Sequence, residues 1–376
     1  MEAIDHNAEG TILTMEFGYS LIPNESCQYD REQGYGFSLP PQRSKTEDMR
    51  DSWPGDYFDS VIPSLLMDVP NGTYKATLTL GSSDSPTATT VKEGLGRMRL
   101  HEVKTEAGQS AVHSFAVHVM DGQLKLAFGG AAPHVQKVEV KRVASIPTIH
   151  LAGDSTVTDQ PSAHYPYTGW GQMLGLYFAD SVAVANYACS GRSSKSFITE
   201  GRLNRLEKKL SRGDFLLVQF AHNDEKDNDG GTDPFTTYQA YLQQYIEVAR
   251  KHEAYPVLIA PMHRRFYEED GTIRNTHGDY IEAMRQLALE EQVPFVDLAS
   301  LSKAYFEELG EERSKQVFLW TEPGQYECLP EGTRDNTHFS EFGAIEIARL
   351  VAQGIRDAGV EPLVHHLIAQ KEGAAL

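Results

Sequence analysis

The chain is expected to fold as an open α/β sheet preceded by an all-β sandwich. Three observations carry that expectation: a length of 376 residues, period-two alternation of apolar residues up to about residue 145, and a switch after it to short apolar runs between longer amphipathic ones. A single core rarely grows beyond ~250–300 residues, so the length favours two units. Period-two alternation marks strands buried on one face. Short continuous apolar runs mark parallel strands covered on both faces by crossover helices. The boundary is expected near "RVASIP", with a sandwich over 1–145 and the α/β unit over 146–376.

In the first half, "TYKATLTLG" (73–81) alternates, and "SFAVHVMDGQLKLAFGG" (114–130) reads as two strands around an Asp121-Gly122 turn. "VQKVEVKRV" (135–143) alternates again, and no helical period interrupts the series. In the second half the spacing predicts strands over 146–153, 182–188, 214–221, 255–260 and 294–298. Helices are expected over 170–178, 196–210, 235–252, 279–291, 302–309 and 341–357. Sites in such sheets form in the crevice beyond the C-terminal ends of the strands. The polar loop 224–233 is expected to line that crevice or to be mobile.

Composition narrows the partners. A net charge of −19 argues against nucleic acid or an anionic membrane surface. No stretch approaches the ~20 apolar residues that span a bilayer. Residues 1–10 lack the basic and apolar regions of a secretory signal, so a cytoplasmic protein is expected, or an extracellular one if an export segment has been removed. Cys27, Cys189 and Cys328 are odd in number and form no C-x-x-C pair, which argues against a disulfide framework. Neither H-E-x-x-H nor a cysteine knuckle occurs, and no metal or other cofactor is expected.

Reactive residues gather at three predicted strand ends and before the last helix. The first strand runs into "AGDSTVTD" with Ser155, the second into "NYACSGRSSKSF" with Gly191 and Arg192, and the third into "QFAHND" with Asn223. "RDNTHFSEFG" places Asp335 three residues before His338. A serine hydroxyl becomes a nucleophile when an imidazole takes its proton, and a carboxylate fixes the tautomer of that imidazole. A D-x-x-H turn brings Asp335 within reach of the His338 ring. Tetrahedral oxyanions need donors, which the Ser155 amide, the Gly191 amide and the Asn223 side chain supply. Singly, each piece has a bland reading: "GDS" as a helix cap, Asn223 and Asp224 as an Asx-turn, His338 as a surface residue. The combination and its order favour the chemical reading. The G-x-S-x-G elbow of α/β-hydrolases is missing.

The blocks "GDST", "SGR", "AHND" and "DNTH" resemble those of SGNH hydrolases, a subset of GDSL esterases. More narrowly, "GDSTVTD", "GWGQML", "SGRSSKSF", "VQFAHND", "HGDYIEAMRQLA" and "DNTHFSEFGA" resemble rhamnogalacturonan acetylesterases over about residues 148–357. The resemblance implies a flavodoxin-like three-layer α/β/α fold, with Ser155 as nucleophile, His338 as base and Asp335 as its orienter. It also implies an oxyanion hole of the Ser155 amide, Gly191 and Asn223, and an acetylated polysaccharide such as rhamnogalacturonan or pectin as substrate. Acetylxylan esterases and general GDSL lipases share this triad. The departures are Ala221 and Ser190, where relatives carry glycine.

Arg192, Lys195, Arg264 and Arg265 lie in loops after predicted strands and offer local positive charge for galacturonate carboxylates. Arg192, His263 and Arg264 are the candidate substrate contacts, against the plainer reading of solvated charges or salt-bridge partners and, for His263, of a merely exposed ring. His222 is expected to hydrogen-bond beside the site. The first half resembles galactose-binding-like sandwiches in style, where it serves as a sugar-binding or merely packing unit. In it, Trp53, Tyr57 and Phe58 are either a sugar platform or core.

Overall fold

The computed structural model of the protein describes residues 11–16, 28–38, 64–144 and 146–369. Cys27, Trp53, Tyr57 and Phe58 lie outside the described residues.

The first strands are β1 (Thr11–Glu16), β2 (Tyr35–Phe37), β3 (Ser64–Asp68), β4 (Gly72–Leu80), β5 (Thr87–Glu93), β6 (Arg97–Thr105), β7 (Ala111–Val119), β8 (Gln123–Ala132) and β9 (Val135–Arg142). They form two antiparallel sheets, ordered β1-β9-β4-β7 and β2-β3-β8-β5-β6. Alternation decides which face is inside: on β4, Tyr74, Ala76, Leu78 and Leu80 are buried while the residues between them are not. They share one core with Leu65, Met67, Leu124 and Leu126 of the other sheet. The strand pair around Asp121-Gly122 is split between the sheets, since β7 pairs with β4 and β8 with β3 and β5. The turn signal is local, whereas sheet membership is set by which face the core needs.

From Thr148 the chain builds a parallel sheet of β10 (Thr148–Gly153), β11 (Ala183–Asn186), β12 (Phe215–Gln219), β13 (Tyr255–Ile259) and β14 (Phe295–Val296). Its order, β11-β10-β12-β13-β14, is the flavodoxin-like 2-1-3-4-5 arrangement. The helices are α1 (Trp170–Met173), α2 (Ser194–Thr199), α3 (Arg202–Glu207), α4 (Gln239–Lys251), α5 (Tyr280–Glu290), α6 (Leu298–Ser314) and α7 (Glu341–Asp357). Successive strand residues point to opposite layers. Ile149, Leu151, Val184, Leu217 and Val257 join one core with residues of α1, α6 and α7. Ala152, Ala185, Leu216, Val218 and Leu258 join another with α2, α3, α4 and α5. Two cores on two faces make the three layers.

Three expectations change in detail. The helix expected over 196–210 is two, broken at Gly201, whose φ of 75° leaves the helical region. The helix expected over 302–309 starts four residues earlier, because Asp297 caps it by accepting from the Ser300 amide. The D-x-x-H segment is not a free turn. It lies on β16 (Thr333–Phe339), which pairs antiparallel with β15 (Phe318–Thr321).

The sandwich and the α/β layers are joined by polar contacts as well as packing. The turn between β5 and β6 presents the Leu95 carbonyl to Gln172 Nε2 at 3.0 Å, and Lys92 pairs with Glu341 at the start of α7. Arg97 donates to the Val184 carbonyl of β11 at 3.1 Å.

Candidate active site

Three neighbouring strands, β11, β10 and β12, deliver their C-terminal turns to one place. Ser155 lies just past the end of β10, in a turn that Asp154 shapes by accepting from the Thr156 amide at 2.9 Å and its hydroxyl at 2.8 Å. Asp154 is buried, and burial raises its acid above the ordinary range, consistent with a structural part rather than a chemical one.

Ser155 Oγ is 2.8 Å from His338 Nε2, and His338 Nδ1 is 2.7 Å from Asp335 Oδ2. The other oxygen of Asp335 accepts from the amides of Thr337 and His338, at 2.7 and 3.0 Å. Burial opposes ionisation of Asp335, but the hydrogen bond and charge of His338, together with these amides, hold its acid below the usual carboxylate range. Strand β16 is itself braced. Asn336 Oδ1 accepts from Trp320 Nε1 at 2.9 Å, its carbonyl accepts from the Arg265 amide at 2.9 Å, and the Arg265 guanidinium lies over the Trp320 ring.

Gly191 has a φ of 80°. A Cβ there meets no atom within 4 Å, so the glycine serves a left-handed turn rather than a close protein contact. Asn223 donates through Nδ2 to the Arg192 carbonyl at 3.0 Å and accepts at Oδ1 from Lys226 Nζ at 2.6 Å. Lys226 thereby fixes which end of the amide is which, and among the described residues one Nδ2 hydrogen stays uncommitted. Among the described residues, the amides of Ser155 and Gly191 donate to no protein acceptor. The turns are stitched together by Gln160, whose Nε2 donates to the Ser155 carbonyl at 2.9 Å and to Ser190 Oγ at 3.3 Å. Ser190 thus uses the hydroxyl that a glycine lacks, and Ala221 is fully buried where β12 runs into its turn.

The "GWGQ" run explains itself here. Trp170 Nε1 donates to Gln219 at 2.8 Å, and Gln219 donates to Thr156 Oγ1 at 3.0 Å. A Cβ on Gly171 runs into the Val157 carbonyl and comes within 2.6 Å of Asn186 Nδ2. Gly171→Ala is therefore expected to push α1 off the serine turn, costing roughly 1–3 kcal/mol. A thermal melt checks it: the midpoint falls by several degrees and turnover falls with it, whereas an unchanged midpoint means that α1 has room to shift.

The remaining candidates are engaged within the chain. Arg192 pairs with Glu200 at 2.9 Å and donates to the Ser190 carbonyl at 2.9 Å. Arg264 pairs with Glu225 and donates to Thr276 at 3.0 Å. His263 is buried, and burial with the nearby His277 pulls its ring down to about 4. Contrary to expectation, the His222 ring makes no hydrogen bond among the described residues. It stands edge-on to His277, with centroids 4.6 Å apart, and burial lowers its basicity. The loop 224–233 is ordered by internal bonds, including Thr232 N to the Asp224 carbonyl at 2.8 Å, and Tyr280 donates to that carbonyl at 3.0 Å.

Tyr167, which no sequence pattern marks, packs its ring 4.9 Å from that of His338, and its phenol interacts with the hydroxyls of Ser155 and Ser190. Burial raises its acid, so it stays a neutral hydroxyl.

The GDSL-like lipase/acylhydrolase family model matches residues 151–344, which include the Ser155, Gly191, Asn223, Asp335 and His338 geometry just described. The chain belongs to this GDSL-like family. It is an esterase. A rhamnogalacturonan acetylesterase of Bacillus subtilis (strain 168) is 44% identical over 223 residues, 59% of this chain and 95% of that protein. An uncharacterized esterase of the same organism, YxiM, is 29% identical over 370 residues, 92% of this chain and 89% of that one. The YxiM crystal structure superposes with a TM-score of 0.53 at 24% identity, covering 93% of this chain and 99% of that chain. In this GDSL-like protein the fold likeness extends beyond the family match into the sandwich.

Proposed function

We propose that the protein removes acetyl groups from acetylated rhamnogalacturonan, or its oligosaccharides, through an acetyl-enzyme on Ser155. The hydrogen-bonded line from Ser155 through His338 to Asp335, at 2.8 and 2.7 Å, carries the chemistry. His338 Nε2 takes the hydroxyl proton as Ser155 Oγ attacks the acetyl carbonyl, and Asp335 stabilises the imidazolium. The carbonyl oxygen becomes an oxyanion, held by the Ser155 and Gly191 amides and the uncommitted Nδ2 hydrogen of Asn223. Collapse breaks the ester bond, and the departing sugar hydroxyl takes the proton from His338. Water then gives a proton to His338 and attacks the acetyl carbon. Ser155 leaves with that proton, and acetate is released.

The 44% identity to a rhamnogalacturonan acetylesterase supports the substrate. In this reading Arg192, next to Gly191, meets a galacturonate carboxylate. Arg264 and His263 shape the wall around Glu225, and the sandwich over 1–145 is an accessory unit to a catalytic unit over 146–376. Acetate release from acetylated pectic rhamnogalacturonan is expected to exceed release from acetylated xylan. Chromogenic acetate esters are expected to outpace butyrate esters by ~10-fold or more, because a site open to sugars gives an alkyl tail little contact. Faster deacetylation of xylan keeps the mechanism and overturns the polymer. A preference for long-chain esters rejects the carbohydrate reading.

A further inference from the structure

We infer that Arg97, supplied by the sandwich, is a positioning residue of the active site: it holds Asp159, and through Asp159 the Asn186 amide that ties the turn of Ser155 to the turn of Gly191. The inference rests on Ser155 being the nucleophile and extends it to a residue outside the matched family region.

Arg97 opens β6 and is buried. It reaches three groups from three places: it donates to Glu93 Oε2 at 2.9 Å on the sandwich and to the Val184 carbonyl at 3.1 Å on β11, and its Nε lies 3.8 Å from Asp159 Oδ2, an ion pair without a hydrogen bond. Asp159 lies four residues after Ser155 and is 5% exposed. Its other oxygen accepts from Asn186 Nδ2 at 2.7 Å. The same Nδ2 donates to the Val157 carbonyl at 2.7 Å, in the serine turn. Asn186 Oδ1 accepts from the Ala188 amide at 3.1 Å, in the stretch leading to Gly191. Both Nδ2 hydrogens and Oδ1 of that amide are engaged, which fixes its orientation, and Asp159 is the side-chain member of the set. Gln160, next in sequence, holds the Ser155 carbonyl and Ser190.

Two acids, Glu93 and Asp159, are buried around this guanidinium. Burial pushes Asp159 up to about 7, while Arg97 and Asn186 pull the other way and Glu93 adds to the rise. Arg97 is the strongest of the groups that pull the Asp159 acid down, so without it the carboxyl shifts further toward its protonated form, in which the oxygen facing Asn186 Nδ2 can carry the proton. A buried acid left without its cation is costly enough to move the turn around it.

The test uses the full-length protein and a small chromogenic acetate ester. Arg97→Met is expected to lower kcat by roughly 10–100-fold with KM little changed, because misplacement by about 1 Å suffices for such a loss. Adding Asp159→Asn, which removes the unpaired acid but keeps an oxygen for Asn186, is expected to restore most of kcat. A folded Arg97→Met protein with parental kcat overturns the role, as does a double variant no faster than the single one. If Arg97→Met does not fold, Asp159→Ala is read instead: the same selective loss of kcat supports the inference, and parental kcat overturns it. A serine-reactive phosphonate on the parent protein checks the foundation separately. Label on Ser155 with an indifferent Arg97 sinks the positioning role alone, whereas label elsewhere removes the nucleophile and this inference with it.

Discussion

Ser155→Ala is expected to leave a folded protein whose esterase activity is lower by ~10³-fold or more, because nucleophile, base and orienter act as one unit. Folding should survive. Ser155 Oγ has His338 as its hydrogen-bond partner, and the turn is shaped by Asp154, Thr156 and Gln160, which remain. The residual rate should be nearly insensitive to a second change, His338→Ala, since losing one member of such a unit costs about as much as losing several. Circular dichroism and acetate release from one preparation check both halves. An active alanine variant, with phosphonate label on another serine, places the chemistry elsewhere.

Asn223→Ala is expected to lower kcat by ~10²–10³-fold while KM moves little, because its free Nδ2 hydrogen acts on charge that exists only in the transition state. The structure adds a graded companion. Lys226 occupies Oδ1 at 2.6 Å and so fixes the orientation of the amide. Lys226→Met should leave Asn223 in place but free to flip, with a smaller loss of kcat than alanine at 223. A rise in KM with kcat unchanged at Asn223→Ala would mean that this amide binds substrate in the ground state.

The parallel strands are easy to read because a strand buried on both faces has few polar residues to blur its limits, as in "DFLLVQFA" around β12. The same logic puts Ser155, Gly191 and Asn223 at strand ends from the apolar runs alone. What escapes is non-local. The β15–β16 pair is short, and "TRDNTHF" carries no alternation, since Asp335 and His338 serve the site, Arg334 and Asn336 meet Trp320, and of the seven side chains Phe339 alone is buried in the core. The break at Gly201 is invisible because the apolar period resumes in phase on α3, with Leu203 and Leu206 facing the same core as Phe197. Arg97, Lys226 and Tyr167 belong to no motif. Their roles arise from contacts that folding creates between distant segments. For the basic loop residues the cations are legible but their partners are not: Arg192 pairs with Glu200 and Arg264 with Glu225, across spacings that no sequence pattern marks.

The hydrogen bond between Ser155 and His338 closes over 183 residues of chain. With His338 as the proposed base, a growing polypeptide has none until synthesis has passed residue 338, even if β10, β11 and β12 have already paired. During refolding from denaturant, sheet signals and core burial should recover before turnover, because the loop closed by the last contact is the longest of the site. On the proposed mechanism activity is thus the strictest reporter of complete folding in this molecule, and Ser155 is kept from its base until nearly everything else is in place.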